Sequence, residues 1–344
     1  MSKPSRRDFL KIGAAAVGSA AAAKVLAACG AIAPETAVQT SAPASTAAPT
    51  QAVTEAASAL PGETATVAPS AGPLPDLVVA RNGQPEELVR RLIAALGGMS
   101  TFVPAGANVI IKPNICVAYH TYEYAATTNP WVVGTLVKMC LGAGAKSVKV
   151  MDLPFGGTQE AAYEISGIRE QVQAAGGEMA PMPVFKFVRT EIPSAVELKE
   201  VYAFEDVLKA DVLINVPIAK VHDLSRLTLG MKNLMGVVRD RPELHASIGQ
   251  NLADLASLFR PTLTVVDAVC VLVGHGPTGG SLDDVKQLNT LVGSRDIVAA
   301  DAYAGTLFGL QQDRLSYVKA ATAMGLGRSD LQNLRIEEIQ VGTA

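Results

Sequence analysis

The sequence has too few cysteines to be organised by them. Four occur in 344 residues: Cys29, Cys116, Cys140 and Cys270. No Cys-x-x-Cys pair and no ferredoxin-type cysteine run is present, which argues against an iron–sulfur cluster held by this chain. With Cys29 set apart three remain, and an odd number excludes a complete disulfide framework. Cys140 continues the apolar stripe Val132, Val133, Leu136, Val137, and Cys270 sits among valines and leucines, so both read as core. Cys116 follows a strand, with no histidine partner evident in the sequence. Histidines also number four, without the His-Glu-x-x-His spacing of a zinc protease. Neither the P-loop nor the dinucleotide fingerprint occurs.

Residues 30–75 lack lysine, arginine and every aromatic residue; they are mostly Ala, Thr, Pro, Ser and Val. Such a segment cannot bury enough apolar surface to offset its ordering entropy, so residues 29–75 read as a disordered tether. Its length predicts an average span of roughly 35–40 Å. Ahead of it, residues 1–28 read as an export signal. Ser5-Arg6-Arg7-Asp8-Phe9-Leu10-Lys11 looks like a twin-arginine motif, and a weakly apolar Ala/Gly stretch follows. The stretch is too weak and too short for a transmembrane helix. Leu26-Ala27-Ala28-Cys29-Gly30 resembles a lipoprotein cleavage box, with Cys29 as the lipidation site; Lys24 within the apolar stretch keeps an uncleaved anchor as the alternative. The expected partners are the twin-arginine export machinery and a membrane reached through the lipid. The expected location is the outer face of the bacterial cytoplasmic membrane. That export route carries folded proteins, often ones already loaded with a cofactor.

Residues 1–28 hold five basic groups and one acid, so the rest of the chain has 24 basic against 31 acidic residues. A basic footprint for nucleic acid is therefore missing. Residues 76–344 suffice for a single α/β domain. Apolar runs at Asn108–Lys112, Ser147–Met151, Asp211–Pro217, Leu263–Leu272 and Leu288–Gly293 read as strands. Helices are expected between them, at 130–142, 158–175, 225–237, 247–259, 297–308 and 315–324, with a last strand near 334–341. This alternation predicts a mostly parallel sheet with helices on both faces.

Ligands of such sheets bind beyond the carboxyl ends of the strands. Polar residues and glycines collect there. Lys112 and Asn114 follow the first strand, and Asp152 the second. Lys220 and His222 follow the third; Asp267 and the Gly274–Gly280 loop belong to the fourth. Lys112, Asn114, Lys232, Asn233, Gly276 and Gly279 are the candidate anion-binding residues, because ammonium groups, amides and loop N–H groups suit carboxylate or phosphate. His222, Lys220 and Asp267 are the candidate catalytic residues, with His222 as acid or base. His222, His245, His275 and Asp152 could supply nitrogen and oxygen ligands to a metal. No cofactor is identified by these residues, and a metal stays open.

The ordered set IIKPN, TTNP, INVPIAKVH, LTLGMKNLMG, ELH, TVVDAV, GHGPTGG and SRDIVAADAYAG resembles the family catalogued as domain of unknown function 362, from about Val109 to Gly309. The resemblance carries over Lys112, Pro113, Asn114, Thr128, Pro130, Lys220, His222, Thr228, Lys232 and Asn233. It also carries over Gly236, His245, Asp267, Gly276, Pro277, Gly280, Asp296 and Asp301. Ile218 departs from it, standing where the family often has a further lysine. Some relatives carry an iron–sulfur segment whose cysteines this chain lacks. The family implies a fold and a site without a general activity. Two functional classes remain: an enzyme acting on an anionic small molecule, with or without a metal or redox cofactor, and a non-catalytic extracytoplasmic binding or assembly lipoprotein.

Overall fold

A strand buried along nearly its whole length needs cover on both faces, and three central strands are of this kind: Val212–Val216, Leu263–Leu272 and most of Asn108–Pro113. The computed structural model describes residues 72–342 apart from residue 240. The export signal, Cys29 and nearly all of the tether therefore lie outside the described residues.

The strands are β1 (Leu77–Arg81), β2 (Asn108–Pro113), β3 (Ser147–Val150), β4 (Glu178–Met179), β5 (Phe187–Glu191), β6 (Glu200–Phe204), β7 (Val212–Val216), β8 (Ile218–His222), β9 (Arg226–Thr228), β10 (Leu263–Leu272), β11 (Val285–Ser294) and β12 (Ile336–Gln340). The helices are α1 (Pro85–Ala95), α2 (Pro130–Gly142), α3 (Gln159–Ile165), α4 (Ile168–Ala174), α5 (Glu205–Leu208), α6 (Gly230–Asn233), α7 (Arg241–Leu244), α8 (Ile248–Phe259), α9 (Ile297–Thr306) and α10 (Ser316–Ala323).

Ten strands form one sheet. Its path is β12-β1-β11-β10-β7-β2-β3-β4, and β8 pairs with both β10 and β9. β10, β7, β2, β3 and β4 run parallel in sequence across the sheet, and β12 runs parallel to β1. β11 is antiparallel to both its neighbours, β1 and β10. β5 and β6 make a separate antiparallel pair. One core packs α8, α9 and α10 with the sheet; the other packs α1, α2, α3 and α4 with it. The expected α/β architecture with a mostly parallel sheet is the observed one.

Local chemistry explains the helix limits. Asn129 caps α2 by accepting from the N–H groups of Trp131 and Val132, and Pro130 occupies the first turn, where its missing N–H costs nothing. The helix expected over 158–175 is two, because Gly167 adopts φ 73° between α3 and α4. The expected helix 225–237 is also broken up. Residues 226–228 pair with β8 as β9, only Gly230–Asn233 is α-helical, and a 3-10 turn covers Leu234–Val237. β8 itself, a single proline after β7, was not expected: His222 ends a strand and does not lie in a loop.

Candidate functional site

Lys112 and Lys220 are both 1% exposed, and a buried ammonium must be paired and hydrogen-bonded. Each uses three donors. Lys112 Nζ meets Asp152 Oδ1 at 2.9 Å, Asn233 Oδ1 at 2.7 Å and the Pro113 carbonyl at 2.9 Å. Lys220 Nζ donates to Asn114 Oδ1 at 2.9 Å, the Ala126 carbonyl at 2.6 Å and Cys116 Sγ at 3.3 Å. Two amides join them. Asn233 Oδ1 also accepts from Asn114 Nδ2 at 2.9 Å, while Asn233 Nδ2 donates to Asn215 Oδ1 at 2.9 Å. Asp152 Oδ2 accepts the Ile115 N–H. The result is a continuous buried network, Lys112–Asn233–Asn114–Lys220, with Asp152 as its carboxylate. Burial pushes Lys112 down to about 8, against the pull of Asp152.

Gly236 lets this network close. A Cβ there would lie 1.8 Å from Asp152 Oδ1 and 2.5 Å from Lys112 Nζ, so any side chain collides with the ion pair.

The network floors a cavity of about 620 Å³ at the carboxyl ends of β2, β3 and β8. Lys112, Asn114, Lys220, His222, Lys232, Asn233, Asp152 and His245 all line it. Arg239, Arg241, Thr228 and Cys116 join them, so five Lys and Arg side chains face two aspartates, Asp152 and Asp223. Lys232, on α6, is partly buried and has no hydrogen bond or ion pair among the described residues. Burial first, then Lys220, Arg241 and Lys112, push it down to about 7. Thr228 faces Lys220 across the β8–β9 pair; its hydroxyl is buried and without a partner among the described residues. Arg241 donates to the Val238 and Leu153 carbonyls, and burial lowers its pKa.

His222 Nδ1 accepts the Leu224 N–H at 3.1 Å, which places the ring proton of the neutral imidazole on Nε2. Burial, Lys232 and Lys220 hold its pKa down to about 3. The ring is thus neutral near pH 7 and available as a donor. The same causes, burial and Lys232, lower His245.

Several expected residues lie elsewhere or act differently. Asp267 is fully buried and does not line the cavity. Its two oxygens accept the N–H groups of Asn129 at 2.7 Å and Val269 at 2.9 Å, so it fixes the turn into α2. Burial pushes it up to about 6 against those two donors. His275 is exposed, pairs with Asp284 at 2.7 Å and is raised by that contact. Gly276 and Gly279 are not lining residues. Gly276 packs its loop on β8, where a Cβ would lie 1.9 Å from the Val221 carbonyl, and the Gly279 N–H is taken by the His275 carbonyl. Asn114 and Asn233 line the cavity with their amides already engaged inside the network. Among the described residues no three His, Cys, Asp or Glu side chains are grouped to hold a metal ion. Asp152 is committed to Lys112 and His275 points to another surface, so the four candidate ligands do not converge.

Asp301 has a positioning role. Fully buried, it accepts the N–H groups of Gly230 at 2.6 Å and Met231 at 2.9 Å, anchoring the start of α6 in the same turn as Lys232. Burial pushes it up to about 7. Arg239 and Arg241 were not singled out from the sequence; their clue was a pair of arginines beside the ELH motif in a chain otherwise sparing of charge.

The family model described as domain of unknown function (DUF362) matches residues 109–306. A thylakoid-associated protein of Synechocystis sp. is 27% identical over 251 residues, which is 69% of this chain and 74% of that protein. The lactate racemase apoprotein of Thermoanaerobacterium thermosaccharolyticum superposes with a TM-score of 0.44 at 11% identity, covering 67% of this chain and 56% of that one. A Thermotoga maritima protein solved by structural genomics gives 0.40 at 13%, covering 67% and 60%. This chain spans less than two thirds of the length of either solved structure, and at that level of likeness no chemistry is transferred from them.

Proposed function

The chain belongs to the family of domain of unknown function 362, and from that footing we propose that it is an exported, membrane-anchored protein whose cavity binds an anionic small molecule and exchanges a proton with it. The observation that carries the reading is Lys232. It stands in a cavity whose other two lysines are saturated, and among the described residues it alone of the three has no partner for its donors. Thr228 offers a second polar atom, without a partner among the described residues. The saturated floor supports the same reading indirectly: it puts fixed positive charge under the ligand and has no need to rearrange when one binds.

In this scheme Lys232 holds the anionic group when protonated. With a pKa near neutrality it is also the group best matched to taking and returning a proton. His222 supplies Nε2–H as a neutral donor and is not the base, because its conjugate acid is too strong. Asp301 fixes the backbone that carries Lys232. Asp267 takes no part beyond holding the turn into α2. The donors at the cavity, mostly ammonium, guanidinium and amide groups, fit an anion better than a metal ion, and no step is routed through one.

The export and anchoring part of the proposal rests on the twin arginines and Cys29. Arg6→Lys with Arg7→Lys should leave precursor in the cytoplasm, and Cys29→Ala should lose lipid labelling; normal export or labelling would remove that part. For the cavity, methanesulfonate binding is measured by calorimetry at about pH 6, where Lys232 is charged. Lys232→Met should weaken it about tenfold or more, the scale of a charged hydrogen bond. Equal affinity in the variant overturns the assignment.

A further inference from the structure

The cavity changes character between floor and mouth. The floor is the lysine–amide network, almost without exposed surface. Towards solvent, large apolar side chains join the lining, beside the exposed Asp223. Phe155, in the loop after β3, is 58% exposed, and Leu224, in the β8–β9 turn, is 60% exposed; both line the cavity. Leu153, Met235 and Pro242 carry apolar surface down the wall between them and the floor. Tyr119, 57% exposed, lies against the same loop: a Cβ on Gly156 would be 3.1 Å from its ring. Large apolar side chains at the rim of a deep polar cavity cost solubility and mark a contact with something apolar. A short, fully hydrated anion such as phosphate or acetate has no use for them.

Resting on the reading of the cavity as an anion site, we propose that its ligand is a single-chain amphiphile, with an anionic head held at Lys232 and Thr228 and a hydrocarbon portion leaving over Phe155 and Leu224. The cavity volume, about 620 Å³, exceeds what a head group alone would fill. One cavity offers both cationic groups and large exposed apolar side chains, which is the complement of a head and a tail. The hydrocarbon is recognised by area alone, so the site tolerates variation in the tail and discriminates at the head.

The test uses n-alkanesulfonates from methane- to octanesulfonate, below micelle formation, binding to the folded protein at about pH 6. Their charge is constant across the series and across pH, so only chain length varies. Affinity should rise roughly two- to fourfold per methylene over the first carbons, the range expected for partial to full burial of each. The double variant Phe155→Ser/Leu224→Ser, both exposed positions, should fold with an unaltered melting profile and show a much flatter rise. n-Octanol, which has the tail and no charge, should bind at least tenfold more weakly than octanesulfonate. Methane- and octanesulfonate binding within twofold of each other overturns the amphiphile while leaving the anion site intact. So does a rise that survives the double variant; octanol binding as well as octanesulfonate instead removes the anionic head, and with it the anion site. Failure of every sulfonate to bind overturns the anion site itself.

Discussion

Lys112 and Lys220, on one side, and Lys232, on the other, share a cavity and a residue type, and they are used in opposite ways. The first two end inside a net of amides, carbonyls, a carboxylate and a thiol, with three contacts each. Lys232 ends in the cavity with none among the described residues. A buried charge with all its donors engaged is a part of the architecture; one whose donors are open is waiting for an acceptor. Three lysines near a strand edge look alike in sequence, and only the count of satisfied donors separates scaffold from site.

The sharpest way to break this comparison is to remove a scaffold lysine. Lys112→Met leaves Asp152 buried without its cation, and should cost about 3–5 kcal/mol in urea unfolding. Adding Asp152→Leu should recover part of that loss. A cost under about 1 kcal/mol for the single variant would mean that Lys112 is no more structural than Lys232. Gly236→Ala should come next, at about 1–3 kcal/mol or more, because its Cβ would overlap the same ion pair; a melting temperature equal to the parent's would show that the pair can move aside. Asp301→Asn turns an amide N–H₂ towards a backbone N–H and should cost about 1–3 kcal/mol. Its second readout is sulfonate affinity, which should fall although Asp301 does not line the cavity.

The smallest effect on stability belongs to Lys232→Met, which removes a desolvated cation that has no partner among the described residues, and should be neutral or slightly stabilising near pH 6. Its signature is in the pH dependence. Burial holds Lys232 at about 7 in the fold, against 10.5 for a free lysine side chain. Between those values the unfolded chain keeps a proton that the folded chain has released, so stability rises with pH through that window. The variant should lack that rise. His222 has the same sign in a different window. Between 6.5, the value of a free imidazole, and about 3 the unfolded chain is protonated and the fold is not, so stability falls as pH drops through that range. His222→Gln should flatten that fall.

The sheet was legible because strands buried on both faces are written as predominantly apolar runs, as in β2, β7 and β10. The carboxyl-end location of the cavity followed from the sheet. The break of 225–237 was not legible: Leu227, Leu229, Met231 and Leu234 are apolar and all buried, but they belong successively to a strand, an extended link, a helix and a 3-10 turn. Burial on every side erases the periodicity that separates strand from helix. Asp267 misled for a related reason. A carboxylate in an apolar strand needs a partner, and the sequence displays candidate cations but not the backbone N–H groups that actually bind it. The same blindness hid the role of Asp301.

The central claim is that Lys232 is the cavity lysine without a partner among the described residues, and that it takes up a proton when an anion binds. Calorimetry of hexanesulfonate binding near pH 8.5, in two buffers of different ionisation enthalpy, tests it most directly. At that pH Lys232 is largely neutral and the sulfonate does not titrate, so binding must draw a proton onto Lys232 from the buffer. The account predicts uptake approaching one proton per ligand in the parent, and weaker binding with no uptake in Lys232→Met. Equal affinity in the two proteins, with the heat independent of buffer in both, would contradict it.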